Sequence, residues 1–505
     1  MLPVMIGKIL SAIPHGYDGK IIEVEGDTSR GLPGMSIVGM ANKTIDESRE
    51  RIRSALTNSK FTFPRDKLTV SLAPAELNKT GAYLDLPIAL VLLIVSGQLL
   101  QSDVEHRLFI GELSLTGEVR SVRGIINIIE AAIRAGVREV FVPERDYNQA
   151  SLVRGVEIIP VKTLTQLFRH LKGIQRIEPR EIVVKNTKTD DNATILDHIY
   201  GQTQAKRALT VAIAGHHNIL ITGPPGAGKS LLAKAAVNLL PPLSDAEMIE
   251  VTKIHSLASA TDTIVQERPF RRPHHTASII SIVGGGQMAT PGEISLAHLG
   301  VLFLDEFPEY PRSVLESLRQ PLEDKTISVS RANQKAEYPA DFMLIATMNP
   351  CPCGYLGSKN RECTCTPAQI QNYTKKLSGP LMDRIDMVIE MTRVENEDLL
   401  RRASDSRDEH NLARRTIGFA VNRQRERYGK SGVFNSSLSS HQITKRLKIS
   451  SQAKNILLQA SEKLGLSARA YFKCTKVAQT IADIDGAKEI GIEHITEALR
   501  YRQKS

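Results

Sequence analysis

The stretch that decides the fold is Asn218-Ile219-Leu220-Ile221-Thr222-Gly223-Pro224-Pro225-Gly226-Ala227-Gly228-Lys229-Ser230. Its first five residues form an apolar run that is typical of a buried strand, and the next eight match a phosphate-binding loop, G-x-x-x-x-G-K-S. Glycines let backbone N–H groups turn toward phosphates, and the dipole of a following helix adds positive charge. Residues 223–230, the phosphate loop, therefore predict an ATP site in an α/β domain. Lys229 would reach the β- and γ-phosphates, and Ser230 would bind Mg²⁺.

Two apolar segments further along end in polar residues that suit ATP hydrolysis. Gly300-Val301-Leu302-Phe303-Leu304 leads directly into Asp305 and Glu306, the acidic pair. Asp305 is predicted to hold Mg²⁺ through water and Glu306 to orient or deprotonate the attacking water, while a solvated turn is the alternative. The second segment, residues 342–348, ends in Asn349, whose amide is predicted to position that water or to contact the γ-phosphate.

Two arginines are candidates for stabilising the transferring phosphoryl group. Arg384 lies between Asp383 and Asp386, which fits either a local ion pair or an arginine finger supplied to the neighbouring subunit. Arg469 follows Ser467 at the predicted start of a helix, from which it could return to the same nucleotide and report hydrolysis. Both arginines are therefore included in the predicted catalytic set.

Four of the five cysteines lie within fifteen residues, in the pattern C-x-C, nine residues, C-x-C. In a cytoplasmic chain this clustering favours metal or redox chemistry over structural disulfides. Four thiolates satisfy a tetrahedral Zn²⁺, although C-x₂-C is the commoner spacing. The predicted ligands of a structural zinc ion are Cys351, Cys353, Cys363 and Cys365, and free thiols are the alternative.

The rest of the chain divides into blocks around the nucleotide-binding segment. Residues 1–173 alternate predicted strands and helices, as in an α/β or α+β domain. Residues 174–194 are a predicted linker, because residues 185–192 contain no apolar side chain. Residues 195–393 form the second α/β domain, and residues 394–505 are predicted to be helical. Helical spacing is seen in the last block over 451–464, 470–484 and 492–500.

Composition excludes several classes of protein. With 505 residues, of which 41% are hydrophobic and 24% charged, the chain has the make-up of a multidomain globular protein. The longest apolar run, residues 86–95, is about half the length of a membrane-spanning helix, and residues 1–13 lack the charge pattern of a signal peptide. We therefore expect a cytoplasmic protein that does not contact a membrane.

The formal net charge of +10 is concentrated at one end of the chain. Residues 401–505 carry 21 basic and 10 acidic side chains, whereas the other 400 residues carry 44 and 45. This excess indicates attraction to a polyanion such as nucleic acid, and a solvated Lys/Arg-rich helical face is the alternative. The aromatic content of 5% and the lack of tryptophan disfavour a base-stacking surface.

The nucleotide-site residues resemble those of the AAA+ ATPases, in the clade of magnesium chelatase and the MCM helicases. Three further runs are similar to the YifB/ComM family of magnesium-chelatase-like proteins: Arg268-Pro269-Phe270-Arg271-Arg272-Pro273-His274-His275-Thr276-Ala277-Ser278, Gly284-Gly285-Gly286 and Pro291-Gly292-Glu293-Ile294-Ser295-Leu296-Ala297-His298. The resemblance covers essentially the whole chain. It implies a homo-hexameric ring with ATP between subunits. It also implies a DNA helicase that promotes branch migration in recombination during natural transformation, with the last block as a helical lid on the AAA+ domain.

The same resemblance implies an insertion around residues 271–286 that faces the central pore. It contains His274 and His275. Adjacent residues are expected to point to different faces and to chelate a metal poorly, so a structural or pore-facing role is favoured over a metal site.

A second implied insertion is a hairpin around residues 327–339, with strands predicted over 327–330 and 336–339. Between them, Arg331 and Lys335 are predicted to lie in the turn and to contact DNA phosphates in the pore. A solvated hairpin tip is the alternative.

The first block resembles the Lon-protease-like fold shared with ribosomal protein S5. Lon-type proteases need a serine nucleophile and a lysine base. Residues 77–87 contain no serine, and residues 124–132 contain no lysine. The domain is therefore predicted to lack the catalytic dyad and to serve assembly or DNA contact.

Two other functions remain as alternatives to a DNA motor. One is a chelatase motor subunit that drives insertion of Mg²⁺ into a porphyrin. The presence of the fused first domain is expected to argue against this alternative. The other is a regulatory ATPase that remodels a protein partner.

Overall fold

The computed structural model describes residues 6–502 except 40–41, 65, 78, 80–81, 181–194, 261–262, 287–288, 332–333, 359–360, 394–407 and 430–431. The side chains of residues 42–46, 330–331 and 334 are also outside the description. Most of the predicted linker therefore lies outside the described residues, as does the start of the predicted helical block.

The first domain is built on a mixed sheet. Its strands are β1 (Gly7–His15), β2 (Asp18–Ser29), β3 (Gly34–Val38), β4 (Lys67–Ala73), β5 (Arg107–Phe109), β6 (Glu112–Leu113), β7 (Val119–Arg120), β8 (Glu139–Pro143) and β9 (Glu157–Val161). Its helices are α1 (Asn42–Asn58), α2 (Asp85–Val95), α3 (Ile125–Arg134), α4 (Tyr147–Ala150) and α5 (Leu164–Leu171), with 3₁₀ turns at Gln101–Asp103 and Glu144–Asp146. Seven strands pair in the order β3-β4-β2-β1-β5-β8-β9. The β1–β2 and β2–β4 pairs are antiparallel, and the others are parallel.

Helix α2 accounts for the longest apolar run of the sequence. Its residues from Asp85 to Ile94 are all buried, so the run belongs to the core of the first domain. The Asp85 carboxylate accepts a hydrogen bond from Arg51 Nε at 2.9 Å, which compensates its burial. Within the described residues, no helix has the length and apolar character that crossing a membrane requires.

The second domain is built on a five-stranded parallel sheet, and it also contains two two-stranded sheets, β12-β13 and β15-β16. The strands of the domain are β10 (Ile219–Thr222), β11 (Phe270–Arg271), β12 (Gly284–Gly285), β13 (Thr290–Pro291), β14 (Val301–Leu304), β15 (Thr326–Arg331), β16 (Gln334–Pro339), β17 (Met343–Met348) and β18 (Met387–Glu390). Its helices are α6 (Thr203–Gly215), α7 (Lys229–Leu239), α8 (Asp245–Ala258), α9 (Ile279–Val283), α10 (Glu293–Leu296), α11 (Arg312–Ser317), α12 (Arg319–Asp324), α13 (Pro367–Lys375) and α14 (Gly379–Met382), with 3₁₀ turns at Leu196–His198 and Phe307–Glu309.

Strand order in this sheet sets the position of the nucleotide site. The order is β11-β14-β17-β10-β18, and every pair is parallel. Because the carboxyl ends of parallel strands meet at one edge, the residues that follow β10, β14 and β17 are brought together. This sheet, followed by helices, fits the AAA+ fold that the resemblance implies.

The described part of the last block, residues 408–429 and 432–502, is mainly helical, as predicted. Its described helices are Glu409–Tyr428, Ser440–Arg446, Ser451–Leu464, Ala468–Ile484 and Ile492–Arg500, with a 3₁₀ turn at Asn435–Ser437. They share one apolar core with β10, β17 and β18, so they pack directly on the nucleotide-binding domain.

The first domain also packs on the second. Lys253 Nζ of α8 lies 2.7 Å from a carboxylate oxygen of Glu130 on α3, and its ammonium lies 3.9 Å from the ring centre of Tyr17. The Tyr17 ring in turn makes an edge contact with Tyr338 of β16, with 6.4 Å between centroids. The turn between β1 and β2 therefore supports the base of the β15–β16 hairpin.

A buried ion pair is expected to dominate the stability of the helical block. Asp483 is completely buried, and it accepts hydrogen bonds from Arg427 Nη1 at 2.8 Å and Asn435 Nδ2 at 2.9 Å. Replacing Asp483 with alanine leaves the Arg427 charge without its partner, which we expect to cost about 3–5 kcal/mol of unfolding free energy.

Asp485 provides the matched control. It pairs with Arg207 at 3.2 Å but is 42% exposed, so its replacement with alanine should cost less than about 1 kcal/mol. Urea unfolding followed by circular dichroism measures both variants. Equal midpoints for the two would contradict the assignment.

Candidate nucleotide site

The phosphate loop joins β10 to α7, as the sequence predicts. Gly228 caps α7 in the left-handed conformation, with φ +89°. Gly223 allows a close approach of two backbone segments, because a Cβ there would lie 2.4 Å from the carbonyl oxygen of Met391. The loop is therefore held between the helix that follows it and the segment after β18.

Lys229 is surrounded by oxygens at the mouth of the loop. Its Nζ donates to the carbonyl oxygens of Gly223 at 2.6 Å and Pro224 at 3.0 Å, and to Asn349 Oδ1 at 3.0 Å. Burial lowers the pKa of this ammonium group, while the negative charges of Asp305 and Glu306 oppose the shift. The structure thus joins the predicted lysine and the predicted asparagine in one site.

Ser230 and Asp305 also meet, and their oxygens suit a divalent cation. The Ser230 hydroxyl donates to Asp305 Oδ2 at 3.0 Å, and Thr347 Oγ1 donates to Asp305 Oδ1 at 2.5 Å. Hydroxyl and carboxylate oxygens are the donor set that Mg²⁺ prefers. Thr347, which the sequence analysis overlooked, lies two residues before Asn349 on the same strand.

Glu306 has a backbone conformation that is unusual for a residue with a side chain. Its φ is +53°, in the left-handed region, and its N–H donates to Thr347 Oγ1 at 3.2 Å. Its side chain is 55% exposed. Backbone strain of this kind concentrates at functional sites, and here it turns the carboxylate away from the buried strand β14 into solvent.

The predicted pore insertion reaches the acidic pair. The orientation of its two histidines differs from the expectation. The rings of His274 and His275 lie side by side, with centroids 4.2 Å apart, and do not point to different faces. His275 Nδ1 is 3.8 Å from a carboxylate oxygen of Glu306. Both histidines belong to a tight turn, in which the Ala277 N–H donates to the carbonyl oxygen of His274 at 2.9 Å, so the alternation expected of an extended chain does not hold. In the described structure His275 is a neighbour of the site.

Arg272 is a second neighbour that sequence reasoning missed. Its Nη2 lies 2.6 Å from Asp305 Oδ2, and its guanidinium lies 5.3 Å from the ring centre of Phe303. Parallel pairing of β11 with β14 brings the two residues together. A hint was available in the run Arg271-Arg272, but its partner is 33 residues away.

The two candidate arginines converge on a carboxylate of α12. Arg384 Nη2 is hydrogen-bonded to Glu323, and Arg469 Nη2 lies 3.1 Å from the other oxygen of Glu323. Arg384 further donates to the carbonyl oxygens of Arg319 at 3.1 Å and Pro380 at 2.6 Å. Arg384 thus pairs with a residue 61 positions away and not with a neighbouring acid. Asp386 instead accepts from the Asn218 N–H at 2.9 Å.

The predicted hairpin is present, but its strands are longer than expected. Ser330 pairs with Lys335 and Arg331 with Gln334, so both cations belong to the strands and the predicted five-residue turn is wrong. The strands are longer because the pairing of β15 with β16 continues beyond the alternating apolar residues on which the strand prediction is based. Lys335 is exposed, and the Arg331 side chain lies outside the description.

The four clustered cysteines come together around one point. Their sulfur atoms all lie within 4.8 Å of one another. Cys351 Sγ is 3.3 Å from Cys353 Sγ and 3.6 Å from Cys363 Sγ. A tetrahedral Zn²⁺ with bonds of about 2.3 Å places its sulfurs about 3.8 Å apart. The donor set and its spacing therefore fit a zinc ion.

The parallel sheet, the phosphate loop and the acidic pair define the AAA+ class of nucleotide-binding protein, and comparison with family models agrees. Residues 195–399 match "Magnesium chelatase, subunit ChlI", residues 24–146 match "Subunit ChlI of Mg-chelatase", and residues 409–502 match "Magnesium chelatase, subunit ChlI C-terminal". The second match covers much of the first domain. The presence of that domain therefore does not argue against a chelatase, contrary to the expectation from the sequence.

Similar proteins cover nearly the full length. "Competence protein ComM" of Haemophilus influenzae is 41% identical over 500 residues, which is 98% of this chain and 97% of the relative. "Uncharacterized protein YifB" of Escherichia coli K12 is 40% identical over 493 residues, 96% of this chain and 95% of the relative. The chain therefore belongs to the YifB/ComM family of magnesium-chelatase-like AAA+ ATPases.

A more distant likeness involves a helicase. "Probable DNA helicase MCM9" of Oryza sativa subsp. japonica is 25% identical over 199 residues, which is 39% of this chain and 25% of the relative.

Proposed function

We propose that the protein is an ATP-driven hexameric motor that moves branched DNA during recombination, including natural transformation. The observation that carries the proposal is the contact of Lys229, Asn349, Ser230 and Asp305 in one site, combined with two arginines that are paired on Glu323 and not on the phosphate loop. This arrangement favours an arginine supplied by a second copy as the group that completes the catalytic charges.

Each residue of the site has a separate proposed role in ATP hydrolysis. The backbone of the phosphate loop and Lys229 would hold the β- and γ-phosphates, and Asn349 would orient the attacking water. Ser230 and Asp305 would hold Mg²⁺, which when bound neutralises charge on the phosphate oxygens. Glu306 would accept a proton from the attacking water while the water oxygen bonds to the γ-phosphorus and ADP leaves.

Arg384 is the proposed finger, acting on ATP bound to the neighbouring subunit. Its pairing with Arg469 on Glu323 supports a role for both arginines at the same subunit boundary. In the described structure Glu323 would keep both guanidinium groups oriented until a phosphate of the neighbour replaces it.

The case for DNA as the partner rests on the relatives and on charge. The Haemophilus relative is named a competence protein and the rice relative a probable DNA helicase. In this chain the exposed Lys335 lies on β16, one residue pair before the end of the hairpin ladder, and the excess of positive charge falls in residues 401–505. Six hairpins in a ring would supply sequence-independent contacts to phosphates.

We further propose that Cys351, Cys353, Cys363 and Cys365 hold a structural Zn²⁺. The sulfur spacing given above supports this, as do N–H groups aimed at the sulfurs. The Cys353 N–H points to Cys365 Sγ and the Leu356 N–H to Cys351 Sγ, both at 3.3 Å. Such hydrogen bonds stabilise thiolate ligands.

The rate of ATP hydrolysis with and without DNA tests the proposed function. We expect branched or single-stranded DNA to stimulate turnover. Stimulation by a chelatase partner subunit or a folded protein, with no effect of DNA, would instead favour the chelatase or protein-remodelling alternative.

The hairpin provides a more specific prediction. A double change, Arg331→Ala with Lys335→Ala, is expected to abolish DNA stimulation while hexamer formation and hydrolysis without DNA persist. The slope of log affinity for DNA against log salt should become shallower, because fewer phosphates are neutralised. Fluorescence anisotropy with labelled DNA at several salt concentrations measures this slope.

A second pair of lysines serves as the control. Lys454 and Lys463 are exposed on the helix Ser451–Leu464, and their double replacement by alanine removes the same charge from the basic last block. It should leave DNA stimulation in place. The reverse result, with the hairpin variant unaffected and this one impaired, would move the DNA contact to the last block.

A further inference from the structure

The cysteine loop, residues 351–365, begins and ends next to the nucleotide site. Cys351 follows two residues after Asn349, whose Oδ1 accepts the hydrogen bond from Lys229. At its other end, Thr366 caps helix α13 by accepting from the Gln369 N–H. The loop is thus inserted between a residue of the ATP site and a helix.

The loop also rests directly on the phosphate loop. Gly354 has φ +85°, and a Cβ built on it would lie 2.7 Å from both Cδ and Cγ of Pro225. The same Cβ would lie 3.8 Å from Cγ of Asn349. Hence the first turn of the cysteine loop lies against the phosphate loop and next to the asparagine.

Helix α13, which follows the cysteine loop, packs close to Asn349. Its Tyr373 is buried in the apolar cluster that contains Met348, the last residue of β17. Burial raises the pKa of the Tyr373 phenol to about 12, and a hydrogen bond with the Asn349 backbone opposes that shift. The helix that follows the cysteine loop is therefore also held to Asn349.

Apart from the sulfur cluster, few buried apolar side chains hold the described part of the loop in shape, and the hydrogen bond of 3.1 Å from Arg361 Nη1 to the Tyr355 hydroxyl is exposed. Cys351 is fully buried, but Leu356 is 43% exposed and Tyr355 is half-buried at the surface. A segment with so few buried apolar groups depends on cross-links such as a metal for its folding.

We infer that the metal-bound cysteine loop acts as a brace for the ATP site, so that nucleotide affinity depends on the metal. The metal would hold Gly354 against Pro225 and fix Asn349 beside Lys229. This inference rests on the proposed function, in which the site binds ATP and the thiolates hold zinc.

Two glycines allow the contact to be tested without touching the cysteines. Gly354 and Gly357 both have positive φ, +85° and +76°, but a Cβ on Gly357 meets no atom within 4 Å. Replacement by alanine therefore imposes similar backbone strain at both positions, and only Gly354→Ala also pushes on Pro225. Zinc per chain is measured by mass spectrometry, and affinity by titration with a fluorescent ATP analogue.

We expect Gly354→Ala to keep its zinc and to bind the nucleotide about tenfold more weakly or worse, as overpacking of this size predicts. Gly357→Ala should match the wild type in zinc content and in affinity. Equal affinities of the two variants, whether both normal or both weakened, would overturn the inference.

Removal of zinc from the wild-type protein is an independent test of whether nucleotide affinity depends on the metal. A chelator should weaken nucleotide binding by a similar factor, and added Zn²⁺ should restore it. A wild-type protein that binds ATP equally well before and after zinc removal would overturn the brace alone. A protein isolated without zinc would refute the metal site, and one that does not bind ATP would refute the proposed function itself.

Discussion

Replacing Arg384 with alanine is expected to lower ATP turnover of the assembled protein by about 10³–10⁵ while ATP binding persists. The guanidinium is proposed to act across a subunit boundary on charge that develops in the transition state. It therefore contributes little to the ground state, in which Glu323 is its partner within the chain. Steady-state turnover and titration with a fluorescent ATP analogue separate the two effects.

Mixing experiments test whether the arginine acts in trans. Arg384→Ala retains a functional phosphate loop, whereas Lys229→Ala retains a functional arginine. A mixture of the two should recover partial turnover, because some interfaces then combine a functional loop with a functional finger. As the matched control, Arg384→Ala mixed with the double variant Lys229→Ala, Arg384→Ala should recover none. If no ratio of the single variants restores activity, the role in trans is refuted.

The second large effect is expected at Glu306. Glu306→Gln keeps the shape of the side chain and the backbone bond to Thr347 but removes the base. We expect turnover to fall by about 10²–10⁴, with ATP binding preserved. Radioactive phosphate release measures the first quantity, and retention of ATP on the isolated protein measures the second.

Glu309 is the control for this prediction. It lies in the 3₁₀ turn Phe307–Glu309, directly after Glu306, and its carboxylate is 3.3 Å from Lys376 Nζ at the surface. Glu309→Gln should hydrolyse ATP at nearly the wild-type rate. Full turnover by Glu306→Gln would remove Glu306 from the catalytic set.

Local signals predicted much of the fold around the nucleotide. The apolar run before Gly223 became β10, and the run before Asn349 became β17, each within one residue of its predicted start. The helices predicted over 451–464 and 492–500 have those bounds in the structure. Such segments are predictable because strand and helix periodicity depend on neighbours in sequence.

Contacts between distant segments were not predictable in the same way. Arg272 reaches Asp305 through the order of two strands, and Arg384 reaches Glu323 through packing of α12. Neither pair leaves a spacing pattern in the sequence. The sheet order of the first domain belongs to the same class, because β1 pairs with both β2 and β5.

The cysteine loop shows the boundary between these two cases. The spacing of Cys351, Cys353, Cys363 and Cys365 predicted a metal site, and the sulfur atoms do converge. The contact of Gly354 with Pro225 was not foreseeable, since it depends on how the cysteine loop folds against the phosphate loop. A relation between the zinc site and the ATP site therefore required the three-dimensional arrangement.

The central claim, that ATP hydrolysis moves branched DNA, is tested most directly with purified protein and a synthetic three-strand junction. One strand carries a fluorophore, so that migration of the branch releases a labelled product that is resolved on a gel. The account predicts release by the wild-type protein that requires ATP and Mg²⁺ and is absent with Glu306→Gln. Wild-type protein that hydrolyses ATP in the presence of the junction, yet releases no product above the level seen without ATP, would contradict it.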